Sequence, residues 1–110
     1  MTETTSAAVV VVGSANVDLV ASSPRMPKPG ETISGTRFEQ LFGGKGSNQA
    51  VAAALLGSSV RMVAKVGTDS LGESYLDNFR QMGVDTAHVG RTPEAATGVA
   101  QITVDDAGEN

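Results

Sequence analysis

Two stretches of this chain combine residue types that could do chemistry. The first is Asn16-Val17-Asp18, just past a run of valines. In extended backbone, residues two apart project to the same face, so an amide and a carboxylate would stand side by side. The carboxylate can accept a hydrogen bond from a hydroxyl, and the amide can donate or accept. That pairing suits a hydroxyl-bearing ligand. An Asx turn leaving the strand explains the same two residues equally well. The second stretch is GGKGSNQA at 43–50. Gly43 and Gly44 remove side-chain bulk and open backbone angles closed to other residues. Lys45 adds a cation, and a helix opens behind it with free N–H groups and the positive end of its dipole. Asn48 adds donors and an acceptor. A polar, hydroxyl-rich or phosphorylated ligand fits this mixture better than a purely structural turn, which would account for the glycines alone.

Neither of two familiar phosphate motifs is present. A P-loop needs Ser or Thr after its lysine, and Lys45 is followed by Gly46; a dinucleotide fingerprint needs a third glycine where Gln49 stands. The lone His88 has no cysteine or histidine near it in sequence and reads as a surface or strand residue. Asp69 reads as a helix cap. Thr97 and Gly98 read as structural, although a glycine there would let backbone approach a ligand.

These residues need elements to position them. Residues 7–12 form a continuous β-branched run, expected as a strand buried on both faces. Residues 16–21 continue in extended form. Three of the four prolines fall in 22–30, which is therefore a loop. Residues 31–42 read as a strand exposed on one face and antiparallel to its neighbour. Residues 47–56 read as an alanine-rich helix stopped by Gly57, and 60–66 as a second apolar strand. Leu71, Tyr75, Leu76, Phe79 and Met82 recur at helical spacing before Gly83. Residues 86–89 and 97–104 read as further strands, and DDAGEN as a turn at Gly108. Strands alternating with helices imply right-handed βαβ crossovers and an α/β fold with a parallel core sheet. The stretches 14–42 and 97–104 do not fit that core and are expected to form a small separate sheet.

The bulk properties bound the function. The chain has 110 residues, 40% hydrophobic and 18% charged, as in an ordinary globular protein. A net charge of -4 and a pI near 4.7 argue against a nucleic-acid partner or an anionic membrane surface. There is no cysteine, which excludes disulfides and thiolate metal sites. Residues 1–6 are expected to be a disordered tail with no targeting signal. A single alternating strand followed by a turn leaves an unpaired edge, which suggests a piece of a longer domain or a chain that pairs with another copy.

Five segments carry a resemblance: VVVVGSANVDLV (9–20), PKPGETISG (27–35), FGGKGSNQAVAAALLG (42–57), KVGTDSLGE (65–73) and ATGVAQITVDDAGEN (96–110). Together they resemble the N-terminal part of the ribokinase-like (PfkB) carbohydrate kinases. GGKGSNQA is closer to the ribose-phosphorylating branch than to fructokinases or adenosine kinases. The resemblance implies the N-terminal part of a doubly wound α/β sheet over 7–110, with a β-sheet lid from about 14–42 and 97–110. It implies transfer of the ATP γ-phosphoryl group to D-ribose, with Mg²⁺ and K⁺ as further cofactors. By the same resemblance Asn16, Asp18, Gly43, Gly44, Lys45 and Asn48 are substrate-binding, the lid mediates a homodimer, and the protein is cytoplasmic, with the nucleus a second compartment in a eukaryote. The family's catalytic aspartate sits in a GAGD motif that this sequence lacks. No catalytic residue is therefore expected in these 110 residues, and the main nucleotide and cation sites are expected elsewhere. Two alternatives stay open: a non-catalytic short form that binds sugar or pairs through its lid with a full-length copy, and a nucleotide-binding α/β domain unrelated to sugars. Half of a doubly wound sheet is also expected to leave strands uncovered and the isolated chain loosely packed.

Overall fold

The computed structural model describes residues 9–110, so the tail at 1–6 and the first two residues of the strand expected at 7–12 lie outside it. Eight elements follow in order: β1 Val9–Val12, β2 Asn16–Ser22, β3 Arg37–Gly43, α1 Lys45–Leu55, β4 Val60–Gly67, α2 Ser70–Gln81, β5 Val84–Thr92 and β6 Gly98–Val104. They make two three-stranded sheets. One is parallel, in the order β1-β4-β5. The other has the order β3-β2-β6, with β2 antiparallel to β3 and parallel to β6. The molecule is elongated, with extents of 64 × 32 × 18 Å.

The core forms where the helices meet the parallel sheet. Val11, Val60, Met62, Val66, Val84 and Val89 of that sheet pack with Ala50 of α1 and with Tyr75, Leu76 and Phe79 of α2. The sheet runs β1, β4, β5 in one direction, so right-handed crossovers lay both helices on the same face. This corrects the expectation for the first strand. Val11 is buried, but Val10 and Val12 on the opposite face are 54% and 77% exposed. An unbroken valine run suits a strand buried on one face as well as on two, because β-branching favours the strand whichever face is covered.

The helix ends follow their residues. Asp69 caps α2 by accepting from the Gly72 N–H at 2.8 Å. After α1, Gly57 has φ +97° and donates to the Ala54 carbonyl, while Ser58 N–H reaches the Ala53 carbonyl. This pair of bonds closes the helix in a Schellman motif. Unlike α2, α1 has no side-chain cap at its start, and it begins at Lys45 rather than at Ser47.

The strand expected over 31–42 is shorter than its sequence suggested, beginning at Arg37. Residues 31–36 belong instead to the proline loop. Arg25 grips Glu31 with two bonds of 2.6 and 2.8 Å, and Glu31 also accepts from the Lys28 N–H at 2.9 Å. Glu31 is thereby committed to closing the loop. The strand expected at 86–89 grows to Val84–Thr92, because it pairs along nearly the whole of β4. Asp105 closes the last turn: its backbone N–H bonds to Glu109 O, and its carbonyl accepts from the N–H of Gly108, which has φ +81°.

Candidate functional site

The two stretches singled out for chemistry meet at the carboxyl end of β1. Gly13, Ser14 and Ala15 lead directly from β1 into Asn16, and Gly43 ends β3 one residue before the helix cap at Gly44. Asn16 pairs with Gly43 on one side and Gly98 on the other; Asp18 pairs with Leu41 and Ala100. Period-two geometry puts Asn16 and Asp18 on one face of the sheet. The Asn16 amide donates to the Asp18 carboxylate at 3.1 Å. It is Asp18's only side-chain hydrogen bond among the described residues.

The glycines are required by contact as well as by conformation. A Cβ on Gly43 would lie 2.6 Å from Asp18 Oδ2, so the carboxylate rests directly on the Gly43 α-carbon. Gly44 has φ +103°, and a Cβ there would lie 2.6 Å from the Ser14 carbonyl oxygen. Gly46 packs equally close against Gly13. The start of α1 is thus pressed against the β1–β2 link, and Ser47 N–H pins it there by donating to Ser14 O at 3.1 Å. Gly98 lets β6 run beside Asn16, since a Cβ at 98 would be 3.3 Å from the Asn16 Cβ.

Asn16, Asp18, Gly43 and Gly44 therefore form one cluster. Lys45 and Asn48 adjoin it through backbone, Lys45 by following Gly44 and Asn48 by donating its N–H to the Gly44 carbonyl at 2.9 Å, but their side chains make no hydrogen bond to it. Both are exposed on the first turn of α1, and neither side chain bonds to another described residue. Asn48 borders a cavity of about 460 Å³ that is also lined by Leu41, Phe42, Ser47, Val51 and Tyr75. Lys45 stands at the open N-terminal end of α1, where its cation adds to the helix dipole. His88 is exposed on β5 and remote in chain pairing from the cluster, facing Val63 in the register.

Two supporting groups were not legible as such from sequence. The first is a hydroxyl pair under the diglycine turn. Ser47 Oγ donates to the Gly43 carbonyl at 2.7 Å, and the Tyr75 hydroxyl contacts both Gly43 O and Ser47 Oγ. Tyr75 is 1% exposed, packed edge-on against Phe42 with ring centroids 5.0 Å apart and tilted against Phe79 at 4.9 Å. Burial pushes its pKa up, the Ser47 bond opposes this, and the Asp18 charge adds to the rise, so the phenol remains a neutral donor. Sequence spacing made Tyr75 a core residue; the available signal was that a phenol in a core needs a partner for its hydroxyl.

The second group anchors the root of β6. Besides capping α2, Asp69 accepts from the Thr97 hydroxyl at 2.6 Å and from the Thr97 N–H at 2.9 Å. Thr97 Oγ1 accepts in turn from the Gly67 N–H at 2.9 Å. Thr97 is 3% exposed. The Thr97 hydroxyl, then its N–H, then the Gly72 N–H hold the Asp69 carboxyl down at about 2. Arg91 ties the same corner from β5 by bonding Glu73 at 2.6 Å.

A carboxylate, an amide and close-packed glycine backbone on one face make a small polar surface with both acceptors and donors. Among the described residues, no three acidic or histidine side chains gather to hold a metal ion, and no helix is long and apolar enough to cross a membrane.

Comparison with known proteins agrees with this arrangement. Ribokinase from Mus musculus is 50% identical over 108 residues, covering 98% of this chain and 33% of the mouse protein. Ribokinase from Haemophilus influenzae is 45% identical, over 91% of this chain and 33% of its own length. The solved ribokinase of Arabidopsis thaliana, complexed with ribose and ATP, superposes with a TM-score of 0.87 at 35% identity, over 96% of this chain and 35% of that one. The chain thus spans about a third of the length of these relatives. Residues 6–110 match the family model described as pfkB family carbohydrate kinase, and the chain belongs to that family.

Proposed function

We propose that this chain carries the acceptor-sugar site of an ATP-dependent carbohydrate kinase, with D-ribose as the sugar. The single observation that supports this most is the Asn16–Asp18 pair resting on the Gly43–Gly44 turn. Vicinal hydroxyls can donate to the carboxylate and receive from the amide, and the glycine backbone lets the ring approach without side-chain obstruction. Lys45, next to Gly44, and Asn48, one helical turn further on, add a cation and an amide near the sugar. Mouse ribokinase and the Arabidopsis enzyme complexed with ribose and ATP support the choice of sugar and phosphoryl donor.

In this reading the chain contributes positioning. Phosphoryl transfer depends on holding the attacking hydroxyl in line and neutralising charge on the transferred group. Asn16, Asp18 and the diglycine turn orient the sugar. The second sheet, from about 14–42 and 97–110, acts as a lid that excludes water from the reaction. Among the described residues no three acidic or histidine side chains gather, and in the proposed enzyme Mg²⁺ and K⁺ would be held mainly by residues outside them. No GAGD motif occurs in the sequence, so no base is assigned. Residues 1–110 alone are expected to bind ribose and not to phosphorylate it.

A homodimer through the second sheet belongs to the same proposal. Its exposed Phe38 and Val99, 65% and 41% accessible and on one face of the sheet by register, support it, as apolar sheet surface favours a partner. The cytoplasm, where ATP and free sugar coexist, is the compartment proposed. Calorimetric titration of the chain with ribose, with NAD as the comparison ligand, tests the reading. Saturable heat with ribose and none with NAD is expected. No heat with ribose from a folded chain, or a response to NAD alone, would reject it.

A further inference from the structure

We propose that Tyr75 is a positioning residue for the diglycine turn: its buried hydroxyl, together with Ser47, clamps the Gly43 carbonyl and thereby sets the direction of the Gly44 N–H. The inference rests on the sugar-binding reading of this turn.

The geometry carries it in three steps. First, the Gly43 carbonyl oxygen has two lone pairs, and two hydroxyl donors converge on it, Ser47 Oγ from α1 and Tyr75 from α2. The two hydroxyl oxygens lie against each other, so both side chains reach the same carbonyl from adjacent positions. Second, the described peptide bonds are all trans, and the C=O and N–H of a planar trans peptide point in opposite directions. A carbonyl held from the packed interior therefore turns the N–H of the same unit, that of Gly44, outward. This N–H makes no hydrogen bond among the described residues and is free for a ligand atom. Third, the clamp acts on a turn that has no side chain of its own and is otherwise held by backbone bonds, Ser47 N–H to Ser14 O and Asn48 N–H to Gly44 O. Gly44 sits at φ +103° with no side chain, and α1 has no side-chain cap. A diglycine peptide is among the easiest to rotate, so its direction must come from outside.

Tyr75 is well placed to supply that constraint. It is 1% exposed, and Phe42 and Phe79 fix its ring, so its hydroxyl reaches the turn from a rigid helix. Nothing else in the core requires a hydroxyl there; Leu76 and Phe79, its buried neighbours on α2, are purely apolar.

The test uses the 110-residue chain, ¹⁵N-labelled, in three forms: wild type, Tyr75→Phe and Leu76→Val. Tyr75→Phe removes one oxygen and keeps the ring packing. Leu76→Val loosens the same helix without touching the clamp. The Gly44 amide resonance and its solvent-exchange rate are read without ligand, and ribose affinity by titration. Tyr75→Phe is expected to shift the Gly44 amide, speed its exchange, and weaken ribose binding about five- to tenfold, the equivalent of roughly one hydrogen bond. Leu76→Val should lower the melting temperature and leave both readouts alone. Ser47→Ala should shift the Gly44 amide in the same way, which guards against a Tyr75 variant that fails to fold. If Tyr75→Phe lowers the melting temperature but leaves the Gly44 amide and ribose affinity unchanged, the clamp is structural only and the proposal is overturned. If the wild type does not respond to ribose, the sugar reading falls, and the unliganded Gly44 amide still decides for or against the clamp.

Discussion

Asp18 is the residue on which the proposed site turns, and its surroundings are sparse. It accepts one side-chain bond, from Asn16, and its other oxygen lies against the Gly43 α-carbon. A ligand hydroxyl therefore meets a carboxylate with unused acceptor capacity. Replacing Asp18 with Asn keeps the shape and removes the charge. A hydrogen bond to a charged group contributes roughly 1.5–3 kcal/mol, so Asp18→Asn is expected to weaken ribose binding about 10- to 100-fold in a calorimetric titration. Gly43→Ala tests the contact from the other side. Its methyl would lie 2.6 Å from Oδ2, so the carboxylate must move and binding should fall by at least about tenfold. At this scale the sequence was informative where the rule is local. The spacing of Asn16 and Asp18 placed them on one face, and the glycines announced a turn without side chains. The Tyr75 hydroxyl was hidden because its position in the helical repeat already had a sufficient explanation as core.

Among the elements, β6 is the one whose placement depends most on a distant residue. Its root, Thr97, is held by Asp69, 28 residues earlier, through both backbone and hydroxyl bonds. The capping role of Asp69 could be read from the sequence because a cap bonds within one turn. The link to Thr97 could not, because nothing local records which loop returns to a helix start. The pH dependence follows from the shift. The Asp69 carboxyl is lowered from 3.8 to about 2 in the folded chain, so the ionised form is favoured by folding. Its contribution is fully present above pH about 4 and is lost as pH falls towards 2. Thermal melts between pH 5 and 2.5 should show a fall in midpoint that is reduced in Asp69→Ala. Parallel slopes for the two proteins would contradict this. Loss of Asp69 should also speed amide exchange at the root of β6, at Thr97 and Gly98, more than in β4. The truncated β3 has a similar lesson: Glu31 looked like a strand start, but the Arg25 guanidinium six residues before it forms a loop clasp instead.

The whole molecule is two sheets joined at one corner, where Val17 of β2 is fully buried and Phe42 of β3 packs on Tyr75 of α2. The alternation of strands and helices made the α/β core legible, and the surplus extended stretches marked the second sheet. Which face of the first strand is covered was not legible, since it depends on both helices packing on the same side. The consequence is the open face with Val10 and Val12. Exposed valines on a sheet favour association. A Val10→Thr, Val12→Thr double variant is expected to scatter less light at high concentration with little change in melting temperature; equal scattering would show that this face does not associate.

The central claim is that Asn16, Asp18 and the Gly43–Gly44 turn together receive a sugar. The most direct measurement is a ribose titration of the ¹⁵N-labelled chain followed residue by residue, with Asp18→Asn in parallel. Saturable shifts at the Gly43 and Gly44 amides and the Asn16 side chain, lost in the Asp18 variant, are predicted. A well-dispersed spectrum that ribose leaves unchanged, or shifts confined to residues away from β2 and the start of α1, would contradict the account.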